Sequence, residues 1–176
     1  MKRHNGHYPA PLIPIPGWMS GKELEWLYTK AREHQVIVEV GSAYGRSSHA
    51  ILCGNYESFG KEGVVYCVDP WPKKIKGIDE FVTGTKDMRR RSEFWKNCGG
   101  FPNLNVIELP SMQASWALAQ AGVTMVFLDG GINQLDKDYN YWRMIRPKLL
   151  CGHDYGEWKT NHFLHRVEDT LLWEVG

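Results

Sequence analysis

Five short apolar runs, three of them followed by a stretch suited to a helix, constrain this chain more than any other feature. The first, Val36-Ile37-Val38-Glu39-Val40, is β-branched and almost wholly apolar, as a strand covered on both faces must be. It runs straight into Gly41-Ser42-Ala43-Tyr44-Gly45-Arg46-Ser47, and a helix is expected over about 48–55. The second, Val64-Val65-Tyr66-Cys67-Val68, ends at Asp69. The third spans 105–109 and precedes a helix over 113–121. The fourth, Val123-Thr124-Met125-Val126-Phe127-Leu128, ends at Asp129-Gly130-Gly131, with a helix over 136–145 behind it. The fifth, Leu149-Leu150-Cys151, ends at His153-Asp154. Alternation of this kind predicts a Rossmann-like, doubly wound α/β sheet, mostly parallel and flanked by helices. Functional groups in such sheets collect beyond the carboxyl ends of the strands. Four of the five runs end in a segment containing Asp or Gly, so those ends are where chemistry is expected.

The flanks are simpler. Residues 8–17 carry four prolines, which suits an extended arm over 1–17 and excludes a helix there. Ser20-x-x-Glu23 reads as a capping box opening a helix with Leu24, Leu27, Tyr28 and Ala31 along one face. At the other end, 163–167 and 171–175 are expected to pair as a shortened edge hairpin around Asp169-Thr170. An exposed apolar edge there would invite a second copy of the chain, so a homodimer is an expectation. The whole 176 residues read as one domain.

Charge and composition exclude several classes. Lys+Arg 21 against Asp+Glu 20 leaves a net charge of +1, which gives no electrostatic case for nucleic acid or an anionic membrane as the main partner. No apolar run approaches the ~20 residues of a membrane span, and the first residues, Met1-Lys2-Arg3-His4-Asn5-Gly6, lack the apolar core expected of a signal peptide. Four cysteines without a C-x-x-C pair read as free thiols of a cytoplasmic protein. Arg89-Arg90-Arg91 reads as a solvated helix face, and most of Trp18, Trp26, Trp71, Trp95 and Trp142 as packing.

The first strand-to-helix turn holds Gly41 and Gly45. Glycine lets a backbone bend sharply and approach a ligand, while the helix start offers free amide donors. A dinucleotide fingerprint wants G-x-G-x-x-G, and here Ala43 stands where the middle glycine would be. That disfavours a nicotinamide oxidoreductase. Asp69, ending the next strand, stands where a Rossmann-type site grips ribose hydroxyls.

Together these residues resemble a known family. Val38-Glu39-Val40-Gly41-Ser42-Ala43-Tyr44-Gly45-Arg46-Ser47 is similar to the first motif of class I S-adenosylmethionine-dependent methyltransferases. Val68-Asp69-Pro70-Trp71, Phe127-Leu128-Asp129-Gly130 and Gly152-His153-Asp154-Tyr155 resemble the later motifs of a small-molecule O-methyltransferase branch. The resemblance implies that Gly41 and Gly45 let the loop pass close to the methionine part of S-adenosylmethionine, that Glu39, Ser42, Tyr44, Ser47 and Asp129 also belong to the cofactor site, that Asp69 holds the ribose, and that Ser111 and Met112 pack on adenine. It also implies a divalent cation, such as Mg²⁺, at Asp129 and Asp154. Adjacent strand ends about 5 Å apart can share one cation between two carboxylates. The third ligand slot of the related catechol-type and macrolide-sugar enzymes holds His153 here, which suits Mn²⁺, Fe²⁺ or Zn²⁺ better than Mg²⁺. Those relatives carry a basic residue three positions after the strand-four acid, and this chain has Ile132. Asp129 and Lys137 are therefore the expected catalytic residues, with His162 a second candidate base. The expected activity is methyl transfer to a small-molecule acceptor, at oxygen. The alternative is a non-catalytic S-adenosylmethionine or nucleoside-binding module.

Overall fold

The computed structural model of the chain describes residues 15–71, 85–131, 133–156 and 164–175. Most of the expected arm over 1–17, together with Ile132, His162 and Phe163, lies outside them. The apolar runs form one seven-stranded sheet in the order β3-β2-β1-β4-β5-β7-β6. The strands are β1 Val36–Val40, β2 Val64–Val68, β3 Leu104–Ile107, β4 Met125–Leu128, β5 Leu149–Gly152, β6 Leu164–Arg166 and β7 Trp173–Val175. The first five pair in parallel, with Val40 beside Val68 on one side and Leu128 on the other. Strand β7 runs antiparallel to β5, and β6 antiparallel to β7. The Rossmann-like, mostly parallel sheet with a short C-terminal hairpin is therefore the architecture of this chain.

Alternation along the strands divides the core in two. Ile37, Val65, Cys67, Met125 and Phe127 point to the face covered by helices α1 (Gly21–Ala31), α2 (Arg46–Phe59) and α3 (Thr85–Cys98), meeting Leu27, Ile51, Leu52 and Phe94. Val38, Val40, Val68, Val126 and Leu128 point the other way, onto α4 (Ser111–Ala117) and α5 (Leu135–Trp142), meeting Ala114, Leu118, Leu135 and Trp142. Each such apolar side chain contributes roughly 1.5–3 kcal/mol on burial, so β1 and β4, central and covered on both faces, anchor the sheet.

Element boundaries depart from the sequence reading where turn chemistry decides them. Helix α2 starts at Arg46 rather than Ser48 because Gly45, at φ +87°, turns the chain directly into it, and it runs on to Phe59, where Gly60 at φ +57° ends it. Helix α4 starts earlier and stops earlier than expected, giving way to a turn at Leu118 before Gly122. Helix α5 ends at Trp142 and a 3-10 turn, Arg143–Ile145, completes the expected span. The capping box is formed as read: Ser20 Oγ accepts from the Glu23 amide, and the Glu23 side chain accepts from the Ser20 amide. Edge strand β6 is short, and His165 and Arg166 on it are exposed, so polar rather than apolar side chains meet solvent there. No helix among the described residues is long and apolar enough to cross a membrane.

Candidate active site

Strand order reverses between β1 and β4, the point at which sheets of this kind bind ligands, and the loops leaving those strands touch where Gly41 meets Asp129. The Gly41 amide donates to the Val68 carbonyl at 2.8 Å, which extends the parallel ladder one residue beyond Val40 before the loop begins. With φ at +94° and the Asp129 carbonyl oxygen only 2.3 Å from where a Cβ would stand, Gly41 has no room for a side chain. Ala43 also sits in the left-handed region, at φ +43°, a conformation costing about 1–2 kcal/mol for a residue with a Cβ. Asp69 holds it there. Its Oδ2 accepts from the Ala43 amide and its Oδ1 from the Trp71 amide, both at 2.9 Å, while Trp71 Nε1 donates to the Ala43 carbonyl at 3.1 Å. Through these bonds the Asp69 carboxylate at the end of β2 is built into the shape of the β1 loop.

The glycines are expected from sequence to make way for a ligand, and their own geometry gives a different reason for them. At Gly45, as at Gly41, the space a Cβ would take is filled by protein, here Cys98 Sγ at 2.7 Å and Phe94 at 3.1 Å. What Gly45 leaves open is the start of α2, which no side chain caps, so first-turn amides remain available to an anion.

Beneath this loop lies Glu39, which has no exposed surface. Its Oε2 accepts from Ser42 Oγ at 2.7 Å and from Ser48 Oγ. Burial pushes its carboxyl up from the ordinary range, partly opposed by hydrogen bonds from Ser47, Ser48, Ser42 and Cys67. Glu39 therefore supports the loop from inside. Of the other residues expected at the cofactor, Ser47 is buried, and Tyr44 is half-buried with the Arg90 guanidinium 5.6 Å from its ring centre. Ser111 opens α4, and its Oγ accepts from Trp142 Nε1 at 2.8 Å and bonds the buried Asp138 carboxyl of α5. Met112 beside it is half-buried.

The ends of β4 and β5 bring the remaining residues together. Asp129, His153 and Asp154 each offer one ligand atom, all within 4.8 Å of one another. His153 Nδ1 lies 2.9 Å from Asp154 Oδ1 and 3.7 Å from Asp129 Oδ1. Ligands ~2.1 Å from a shared ion stand about 3.0 Å apart at right angles and about 3.4 Å apart at the tetrahedral angle, so the trio suits a divalent cation. Burial pushes the Asp129 carboxyl well up, and the neighbouring carboxylates of Asp154, Glu39 and Glu23 push the same way. A bound cation would relieve that repulsion.

Two residues stand differently from expectation. Lys137 is exposed on α5, whose buried side carries Leu135, Asp138 and Trp142. Glu23, which the sequence presents only as a helix cap, is 4% exposed, and its Oε1 lies 3.5 Å from His153 Nε2. Nothing in the sequence signals this second contact, because the capping box accounts fully for an acid at that position.

No protein-family model matches the chain, and no curated protein matches it. Solved structures do. The O-methyltransferase TomG from Streptomyces achromogenes, in complex with SAM, is similar at a TM-score of 0.58 and 12% identity over 78% of this chain and 57% of that one. An O-methyltransferase from Bacillus cereus, in complex with SAH, is similar at 0.58 and 13% identity over 80% of this chain and 60% of the other. The calicheamicin methyltransferase CalS11 is similar at 0.60 and 12% identity over 88% of this chain and 77% of its own. This chain thus spans less than two thirds of the first two. The likeness establishes a shared fold.

Proposed function

We propose that this chain is an S-adenosylmethionine-dependent methyltransferase acting on an oxygen of a small-molecule acceptor. One observation carries the reading. A helix start with no side-chain cap and a strand-ending carboxylate, Asp69, that shapes the loop before it lie beside the point where strand order reverses, in a fold shared with SAM- and SAH-bound methyltransferases. The first-turn amides of α2 would take the methionine carboxylate, Asp69 the ribose hydroxyls, and the Ser111–Met112 segment the adenine. Glu39, Ser42, Ser47 and Tyr44 would hold the loop to its shape.

S-adenosylmethionine supplies an activated methyl group on a positively charged sulfonium. The chain's own task is then to align the acceptor oxygen and ease the loss of its proton. Asp129, His153 and Asp154 would do both, by holding a divalent cation that brings the hydroxyl's pKa down toward the neutral range. Lys137 stands on the exposed side of α5, so in this proposal the acidified hydroxyl gives its proton to water or to an oxygen of the Asp129 carboxylate that the cation leaves free.

Release of S-adenosylhomocysteine, measured against a panel of catechol, sugar and carboxylate acceptors with and without Mn²⁺, tests the reading. Turnover with a hydroxyl acceptor supports it. S-adenosylhomocysteine binding without turnover on any acceptor would favour the non-catalytic module, and binding of a nicotinamide dinucleotide instead would overturn both.

A further inference from the structure

Glu23 and His153 lie 130 positions apart in the sequence and meet in the interior. The carboxylate of Glu23 cannot swing away. Its Oε2 accepts from the Ser20 amide at 2.7 Å and Ser20 Oγ at 2.9 Å, and its Oε1 accepts from the Leu171 amide at 2.8 Å. A helix cap alone does not need a carboxylate, since Gln serves the same position in a capping box.

His153 is held as firmly. Its amide donates to the Leu128 carbonyl at 3.0 Å and its carbonyl accepts from Trp173 Nε1 at 2.8 Å. The residue is 5% exposed. Its Nε2 is buried with no hydrogen-bond partner among the described residues, and the polar atom facing it is Glu23 Oε1 at 3.5 Å. A neutral imidazole has one N–H to place. If Nε2 carries it, toward the carboxylate, Nδ1 turns a lone pair on Asp154 Oδ1 at 2.9 Å. Two acceptors at that distance repel unless a cation joins them, and Asp129 Oδ1 at 3.7 Å completes a site around such an ion.

We propose that Glu23 is the outer carboxylate of a metal-holding relay, fixing His153 so that Nδ1 faces a divalent cation shared with Asp129 and Asp154. The site accordingly takes an ion that accepts nitrogen, such as Mn²⁺ or Co²⁺, in preference to Mg²⁺. Outer-shell carboxylates of this kind set the tautomer and orientation of a ligating histidine, while Mg²⁺ demands oxygen ligands. The inference rests on the proposed function only in placing the acceptor at the β4 and β5 ends, and metal uptake can be measured without turnover.

The test is loss of the free Mn²⁺ paramagnetic resonance signal on adding the purified full chain, with S-adenosylhomocysteine binding followed separately by calorimetry. Wild type is expected to bind Mn²⁺ more tightly than Mg²⁺, and Glu23→Gln to weaken Mn²⁺ binding about 10–100-fold while leaving S-adenosylhomocysteine affinity within about twofold. Ser20→Ala disturbs the same helix cap without touching the charge. It should lower the melting temperature and weaken Mn²⁺ binding far less than Glu23→Gln does, because the Ser20 and Leu171 amides still hold the carboxylate. His153→Asp should narrow the preference for Mn²⁺ over Mg²⁺. Should Glu23→Gln fail to fold, pulsed resonance on the wild-type Mn²⁺ complex decides, since a coordinated imidazole modulates the echo with its nitrogen. Absence of nitrogen modulation, wild-type Mn²⁺ affinity in Glu23→Gln, an equal loss in Ser20→Ala, or no Mn²⁺ uptake at millimolar concentration would each overturn the relay. Failure to bind S-adenosylmethionine or S-adenosylhomocysteine would instead overturn the proposed function, whatever Mn²⁺ does.

Discussion

At the end of β1 two backbone amides, of Ala43 and Trp71, hold one carboxylate, Asp69; at the end of β5 three carboxylates, Glu23, Asp129 and Asp154, surround one imidazole. The first region is built from residues 39–48 and 69–71, and most of its bonds involve the backbone. The second draws on α1, the ends of β4 and β5, and the segment before β7, and depends on side-chain charge. Backbone geometry completes the first site on folding. The second carries an excess of negative charge, and its balance waits on something positive, a metal ion or a proton. The two regions should therefore fail in different ways.

The largest effect is expected where they touch. A Cβ at Gly41 would stand 2.3 Å from the Asp129 carbonyl, so Gly41→Ala must move both loops and adopt an unfavourable φ. A loss of about 2–4 kcal/mol in denaturant unfolding is expected, together with loss of S-adenosylhomocysteine binding. A loss below about 1 kcal/mol would show that the loops are not in contact and would separate the regions.

Chelation sharpens the contrast. EDTA should reduce methyl transfer at least about tenfold, as expected when a metal's charge stabilisation disappears, and Mn²⁺ should restore it. Calorimetry should find S-adenosylhomocysteine affinity unchanged under the same treatment. Equal sensitivity of both would mean that the β1 end depends on the metal too. Asp129→Asn should reproduce the EDTA result, and Mn²⁺ should not reverse it.

The smallest effect concerns Glu39. Burial raises its proton affinity in the folded state, so between the ordinary carboxylate range and that raised value the native chain binds more protons than the unfolded one. Its contribution to stability is full below the unfolded-state value and is lost as the pH rises. Glu39→Gln should therefore flatten this part of the stability profile, measured by melting at a series of pH values, and change neutral-pH stability by no more than about 1 kcal/mol. A profile unchanged by the substitution would show that the carboxyl is not titrating there.

The same contrast explains what is legible in the sequence. The β1 region is local: strand, glycine turn and helix follow one another within residues 36–59, so hydrophobic periodicity and turn chemistry are enough to locate them. Asp129, His153 and Asp154 are legible as strand ends because parallel sheets gather ligands there. Glu23 is not, because its link to His153 depends on how α1 and the terminal hairpin fold back on β5, and no short-range pattern encodes that. The reason for Gly45 is hidden in the same way. Its packing against Cys98 and Phe94 of α3 is a tertiary contact, whereas the sequence offers only a bend and a ligand.

Binding of S-adenosylmethionine at the β1 end, through α2 and Asp69, is tested most directly by calorimetric titration of the purified chain with S-adenosylhomocysteine and with a nicotinamide dinucleotide. Saturable 1:1 binding of S-adenosylhomocysteine alone is expected, weakened by about 1–3 kcal/mol in Asp69→Ala as charge-assisted hydrogen bonds are lost. Binding of the dinucleotide but not S-adenosylhomocysteine, or S-adenosylhomocysteine affinity untouched in a folded Asp69→Ala variant, would contradict it.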